Sequence, residues 1–142
     1  MTVATKEQTA REVWLQITGL LRTGETFPRI AADLGLTPGQ MHTLLELRDG
    51  EPKPMRALAD TMACDASYAT TLIDGLERAG YVERQVSASD RRVKLIHVTD
   101  EGRKMQHQVI ERLSQPPEAL EQLSTADLRT LRSVLAKVSQ PL

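Results

Sequence analysis

The sequence is poor in cysteine, in aromatic side chains and in long apolar runs. It has one cysteine in 142 residues, and aromatic residues make up 3% of its composition. A lone cysteine cannot form an internal disulfide, which agrees with a reducing compartment, and scarce aromatics point away from β-sandwiches and toward helices. No apolar run approaches the length that spans a bilayer, and the opening segment, MTVATKEQTA, lacks the cationic and apolar parts of a signal peptide. We therefore expect one mainly helical domain in the cytoplasm, with no membrane partner.

The sequence also lacks a surplus of positive charge and any recognisable catalytic constellation. Lysine and arginine total 18 against 19 acidic residues, for a net charge of −1. A nucleic-acid partner must therefore be argued from where the cations lie. There is no nucleophile–base pairing or phosphate-binding loop, and the histidines show no metal-ligand spacing with one another or with Cys64. These absences predict a protein that is not an enzyme and has no cofactor or metal site.

Helix signals recur along the first third of the chain. Apolar residues spaced three to four apart predict an amphipathic helix over residues 6–22 and a short helical piece over 27–34. Thr37, Pro38 and Gln40 form a capping box. They predict a further helix that ends near Asp49-Gly50.

The middle of the chain has the element order of a winged helix-turn-helix. Pro54 opens a short helix, and Asp65 is placed to cap a longer one. Two β-rich runs, 81–86 and 93–98, flank a polar turn and predict a hairpin directly afterwards. Two helices joined by about three residues and followed by a hairpin are typical of this motif, which we expect to span residues 37–99.

Positive charge is concentrated around the predicted hairpin. Against the acids Glu83 and Asp90 stand five cations, Arg78, Arg84, Arg91, Arg92 and Lys94. A carboxylate at a tip that faces DNA would repel phosphate unless an arginine already engages it. We therefore interpret Asp90 as a brace for Arg92 or Arg84. The alternative is a polar turn that only keeps the hairpin soluble.

The outward face of the helix before the hairpin is polar but has no lysine or arginine until Arg78. The bidentate arginine–guanine contact is thus unavailable in its first turns, and much of any DNA affinity must come from the hairpin, whose arginines suit a narrow minor groove. The candidate DNA contacts are Ala66, Ser67, Tyr68, Thr70 and Thr71 on the helix and Arg84, Arg91, Arg92 and Lys94 on the hairpin. The alternative is the ordinary polar face of a surface helix.

Three segments, LTPGQMHTLLELRDG, GLERAGYVER and SASDRRVKLIHVTDEG, resemble the MarR family of bacterial transcription regulators over roughly residues 10–140. The most specific element is the aspartate, any residue, arginine signature of the wing, met by Asp90-Arg91-Arg92 and followed by Thr99 and Gly102. The chain departs from the pattern at Thr71, where many relatives carry an arginine, and at Gly75, where they carry a basic or polar residue.

The resemblance implies a single MarR-type domain over residues 1–142 that works as an obligate homodimer. The first and last parts, 6–34 and 100–142, would form the dimer, which would bind double-stranded DNA at a pseudo-palindromic operator and usually repress. Arg92 would enter the minor groove and the exposed residues of 66–71 the major groove.

A dimer also follows from the number of DNA contacts, because one helix and one wing make too few phosphate contacts for tight binding. Apolar residues at the two ends of the chain are available for it: Trp14, Ile17, Leu21, Leu128, Leu131, Leu135 and Val138. The last four form a short heptad seam. The alternative is that these residues cover the core of a monomer.

The resemblance further implies release from DNA by a small aromatic or phenolic effector. The residues that would line its pocket in this chain are Trp14, Phe27, Met41 and His42, which would otherwise be plain core.

A second hypothesis is redox sensing through Cys64, which precedes a helix N-terminus. The family's peroxide sensors keep that cysteine in the first helix, where this chain has none. A third is a winged-helix module that binds a ligand or protein but not DNA.

Overall fold

The computed structural model describes residues 4–23 and 26–139. In chain order its elements are α1 (Lys6–Thr23), α2 (Thr26–Asp33), α3 (Pro38–Glu46), β1 (Lys53–Pro54), α4 (Met55–Thr61), α5 (Ala66–Arg78), β2 (Val82–Val86), β3 (Lys94–Val98), α6 (Asp100–Leu113), α7 (Glu118–Glu121) and α8 (Thr125–Leu135). The predicted fold class, mainly helical with a small β wing, is confirmed. The sequence patterns did not predict β1 or α7.

The helices begin where local side-chain caps satisfy their first backbone N–H groups. At α3, the Thr37 hydroxyl accepts a hydrogen bond from Gln40 N at 3.2 Å while Gln40 Oε1 accepts one from Thr37 N at 3.0 Å. The predicted capping box is therefore present. Asp65 Oδ1 caps α5 by accepting from Tyr68 N at 2.7 Å, and Thr99 caps α6 in the same way.

The sheet has three antiparallel strands in the order β1-β3-β2. In the predicted hairpin, Val82 lies opposite Val98 and Val86 opposite Lys94. On the other edge of β3, Lys53 pairs with Ile96. The wing, defined here as β2, β3 and the turn between them, is thereby tied to the start of α4.

One apolar core lies between α2–α6 and the sheet. Its fully buried large side chains include Met41, Leu44, Leu58, Ile73, Leu76, Ile96 and Val109. The first turn of α6 approaches the end of α5 so closely that a Cβ on Gly102 would run into the carbonyl oxygen of Tyr81. Glycine is therefore required at this junction, which holds the wing against the helices.

The two terminal helices leave apolar side chains in solvent. On α1, Trp14 is 62% exposed and Leu21 66%. Beyond α8, Val138 is 81% exposed, and Leu128 and Leu135 are also exposed. These exposed residues lie outside the core of the single chain, whereas Ile17 and Leu131 are partly buried. Within the described parts of the chain, no helix is both long and apolar enough to cross a membrane.

Candidate nucleic-acid interface

Helix α5 separates a buried apolar side from an exposed polar one. Its inward residues are Ala69, Leu72, Ile73 and Leu76, all buried. The five helix positions expected to contact DNA are all exposed: Ala66, Ser67, Tyr68, Thr70 and Thr71. Thr70 and Thr71 donate their hydroxyl protons to the carbonyls of the preceding turn, at 2.8 and 3.1 Å. Their oxygens remain able to accept hydrogen bonds from a base or backbone.

Tyr68 reaches from α5 toward the start of α3. Its hydroxyl lies 2.8 Å from the point that a Cβ on Gly39 would occupy, so glycine at that position gives the ring its room. The residue is 49% exposed. One part of the ring is thus supported by protein while another stays open to a partner, as an apolar contact to a base or sugar requires.

The tip of the wing is organised around Asp90. Its Oδ1 accepts hydrogen bonds from the backbone N of Arg92 at 3.0 Å and from Arg92 Nε at 3.3 Å. The backbone N–H and then the guanidinium hold the pKa of Asp90 below its usual value. Of the two arginines considered as partners of the brace, Asp90 engages Arg92. The Arg92 side chain is nevertheless 91% exposed and Arg91 beside it is exposed, so both remain accessible.

Arg84 points away from the tip and onto α5, whereas the sequence pattern predicts it among the DNA contacts. Its Nη2 lies 2.5 Å from Asp74 Oδ1 and its Nη1 2.7 Å from Glu77 Oε1. Only 19% of the side chain is exposed. Hydrogen bonding to Asp74 raises the pKa of Arg84. Both arms of the guanidinium are occupied within the protein, and the expected DNA-contact role of Arg84 stays a prediction.

Arg56 joins the wing cations in a groove that the sequence patterns did not predict. The groove, about 500 Å³ in volume, lies between the start of α4 and the wing, with Arg56 and Asp60 on one side and Arg92, Val93 and Lys94 on the other. Arg56 lies in α4, which precedes the cationic segment 78–94, so no local charge pattern links it to the wing. The pairing of β1 with β3 brings the two regions together.

The four residues expected to bind the effector lie in three different environments. Met41 is fully buried in the core, and Phe27 packs against the same core while partly buried. His42 lies on the surface with its Nε2 3.3 Å from Glu46 Oε1. Trp14 lines an open groove of about 500 Å³ along α1 together with Val13 and Ile17.

Cys64 is partly exposed in the turn before α5. Its N–H donates to the carbonyl of Ala59 at 3.1 Å, and it follows Ala63, whose φ of 50° makes the sharp turn between the helices. In residues 4–23 and 26–139, no three histidine, cysteine or acidic side chains are grouped so that they could hold a metal ion.

Comparison with known proteins shows what this geometry resembles. Residues 36–94 match the MarR family. The uncharacterized HTH-type transcriptional regulator YfiV of Bacillus subtilis is 28% identical over 98 residues, which cover 67% of this chain and 60% of that protein. The match thus spans less than two thirds of that curated relative.

Solved structures match nearly the whole chain. A MarR family protein from Bacillus stearothermophilus is 25% identical with a TM-score of 0.80, covering 95% of this chain and 96% of that one. A MepR mutant from S. aureus bound to an oligodeoxyribonucleotide is 23% identical with a TM-score of 0.63, covering 95% and 96%. Over residues 36–94 the winged helix thus resembles that of the MarR family of winged helix-turn-helix transcriptional regulators, and the described residues have the MarR-like fold.

Proposed function

We propose that the protein is a homodimeric regulator that binds a pseudo-palindromic DNA operator. The exposed polar face of α5 enters the major groove and the tip of the wing enters the adjacent minor groove. The observation that carries this proposal is the contact between Asp90 and Arg92. Asp90 holds the backbone of Arg92, whose side chain is 91% exposed and lies beside a second exposed arginine, Arg91. The DNA-bound state of the MepR relative supports the same use of the fold.

The division of labour between helix and wing follows from their charges. The exposed face of α5 reads base edges through hydroxyl groups and the Tyr68 ring, which carry little electrostatic attraction. The neutralising contacts to phosphate come from Arg91 and Lys94, and from Arg56 across the groove. Affinity therefore depends on the wing more than on the helix.

The dimer uses the apolar faces that α1 and α8 leave exposed. A second copy that covers Trp14 and Leu21 on α1 and Leu128 and Leu135 on α8 removes large apolar side chains from water. Two lobes related by a twofold axis then meet half-sites about one helical turn apart.

Control by a small aromatic effector completes the proposal. An occupant seated against Trp14 in the α1 groove lies on the dimer-forming helix, where it could change the spacing of the two lobes. It need only bind the DNA-incompatible spacing better than the competent one. Occupancy of an operator that overlaps a promoter would make the protein a repressor.

The test is a comparison of a duplex that the protein enriches from a random-sequence pool with a scrambled duplex of the same composition. We expect the enriched duplex to bind at least about a hundredfold more tightly, with strong salt dependence. Arg92→Ala should weaken that binding about tenfold or more, with dimer and fold intact. Arg29→Ala, which removes an exposed arginine of α2, is the matched control and should bind as the wild type does. Equal affinity for both duplexes would instead favour a winged-helix module that does not read DNA.

A further inference from the structure

We propose that Arg84 is a positioning residue for DNA recognition, which neutralises the carboxylates of Asp74 and Glu77 on α5 and does not itself contact DNA. The inference rests on the proposed function, because it concerns how the reading surface is kept compatible with phosphate. It assigns to Arg84 a role different from that of Arg91 and Arg92 at the tip.

The contact geometry fits a bridge inside the protein. Asp74 and Glu77 are three residues apart, so they stand one helical turn apart on the same side of α5. The guanidinium spans them with separate nitrogens, Nη2 at 2.5 Å from Asp74 and Nη1 at 2.7 Å from Glu77. The bidentate reach of arginine allows this double contact, which the single ammonium of lysine does not reproduce.

The strand register aims Arg84 at the helix. Arg84 lies in the middle of β2, opposite the fully buried Ile96 of β3. The Arg84 side chain is only 19% exposed, whereas the Arg92 side chain at the tip is 91% exposed. A side chain held in this way is not free to reach a phosphate without breaking both carboxylate contacts.

The two carboxylates need a partner because of where they stand. Asp74 follows Thr70 by four residues and Thr71 by three, so it shares the face of α5 that is proposed to read DNA. The one cation of α5, Arg78, donates from its Nε to the backbone carbonyl of Asp74 at 3.3 Å. Without Arg84, two negative charges would face the phosphates at the edge of the reading surface.

Arg84 also fixes the wing relative to α5. The strand leaves the helix through a turn in which Tyr81 N donates to Leu76 O at 2.9 Å. The bridge from Arg84 adds a second tie, ten residues from Asp74 along the chain. The turn already holds the helix and the wing in a fixed mutual position, and the bridge adds to it only in part, so losing this tie alone should weaken binding by no more than about threefold.

A rescue experiment separates this role from a direct DNA contact. Arg84→Ala should weaken binding to the enriched duplex about tenfold, since two uncompensated carboxylates remain. Asp74→Asn with Glu77→Gln should bind as tightly as the wild type or more tightly. The triple variant, with Arg84→Ala added, should return to within about threefold of the wild type.

Net charge alone is controlled by a second triple variant. Glu118→Gln and Glu121→Gln on α7 remove two exposed carboxylates at the same three-residue spacing, far from Arg84 in the chain. Combined with Arg84→Ala, they give the same formal charge as the first triple variant and should leave binding as weak as Arg84→Ala alone. Thermal unfolding of each variant reports whether the fold persists.

Failure of the inference is distinguishable from failure of the proposed function. If the wild type does not prefer the enriched duplex, the proposed function fails. If the wild type discriminates but the Asp74/Glu77/Arg84 triple variant stays as weak as Arg84→Ala, with a salt slope lower by about one, Arg84 contacts phosphate directly and the inference is overturned. Rescue by the α7 control, or weaker binding by the Asp74/Glu77 double variant, overturns it as well. The double variant keeps Arg84, so its weaker binding would overturn the inference even if Arg84→Ala does not fold.

Discussion

Asp90 holds the residue two positions after it by both backbone and side chain. A single carboxylate oxygen, Oδ1, lies 3.0 Å from the Arg92 amide nitrogen and 3.3 Å from Arg92 Nε. The turn closes further through Val93 N, which donates to the Asp90 carbonyl at 3.0 Å. The position of Arg92 is thereby fixed by Asp90 while its guanidinium remains in solvent. An acid in this cationic tip supports the arginine beside it.

This relationship predicts that Asp90→Ala weakens DNA binding, although it removes a negative charge near the phosphates. Net charge alone would give the opposite sign. We expect a loss of about threefold to tenfold for the enriched duplex, because the freed Arg92 loses its preorganised position. The measurement is fluorescence anisotropy at fixed salt. Glu83→Ala removes the same charge from β2 and should bind as tightly as the wild type or more so; tighter binding by Asp90→Ala would contradict the brace.

The carboxyl group of Asp90 should titrate below its ordinary pKa of 3.8. The folded-state pKa lies below the unfolded-state pKa. The interaction therefore stabilises the tip fully at pH values above the unfolded-state pKa, and this stabilisation is lost as the pH falls through the folded-state pKa. Arg92→Ala should raise the pKa only part of the way, since the backbone N–H of residue 92 remains as a donor. Carboxyl carbon chemical shifts followed by NMR would measure both values. A wild-type pKa at or above 3.8 would refute the contact.

Gly102→Ala should destabilise the fold by roughly 1–3 kcal/mol, because the added Cβ collides with the Tyr81 carbonyl and must shift the junction of α6 with α5. Thermal unfolding at fixed protein concentration measures the change. Gly19→Ala is the matched control, since among the described residues its added Cβ meets nothing within 4 Å apart from its chain neighbours and its own helix backbone, and alanine favours a helix. Equal melting temperatures for Gly102→Ala and the wild type would show that the junction can relax.

Leu128→Glu together with Leu135→Glu should convert the proposed dimer into a monomer, because charged side chains would then stand in the apolar seam of α8. Light scattering after size exclusion gives the mass. The monomer should keep its winged helix and bind the enriched duplex at least about a hundredfold more weakly, since one lobe reads one half-site. Thr130→Glu with Ser133→Glu adds the same charge to the opposite face of α8 and should leave the dimer intact.

The sequence alone determined the features whose causes are local. The caps of α3, α5 and α6 depend on residues three apart, as at Asp65 and Tyr68, and the structure has each of them where the pattern predicted. The hairpin and its Asp90-Arg91-Arg92 tip could likewise be predicted from the sequence, because the β-branched runs and the polar turn are contiguous in the chain. The two-residue strand β1 was not, since Lys53-Pro54 becomes a strand only by pairing with β3.

Only the tertiary structure decided which partners the charged and apolar groups take. Local patterns offered Asp90 two arginines: the turn pairs it with Arg92, while the fold places Arg84 against Asp74, ten residues back along the chain. Periodicity placed Met41 and Trp14 alike on the apolar faces of their helices. In the folded chain Met41 is buried, whereas Trp14 is exposed to solvent. Such outcomes depend on how distant elements meet, and no stretch of neighbouring residues encodes that meeting by itself.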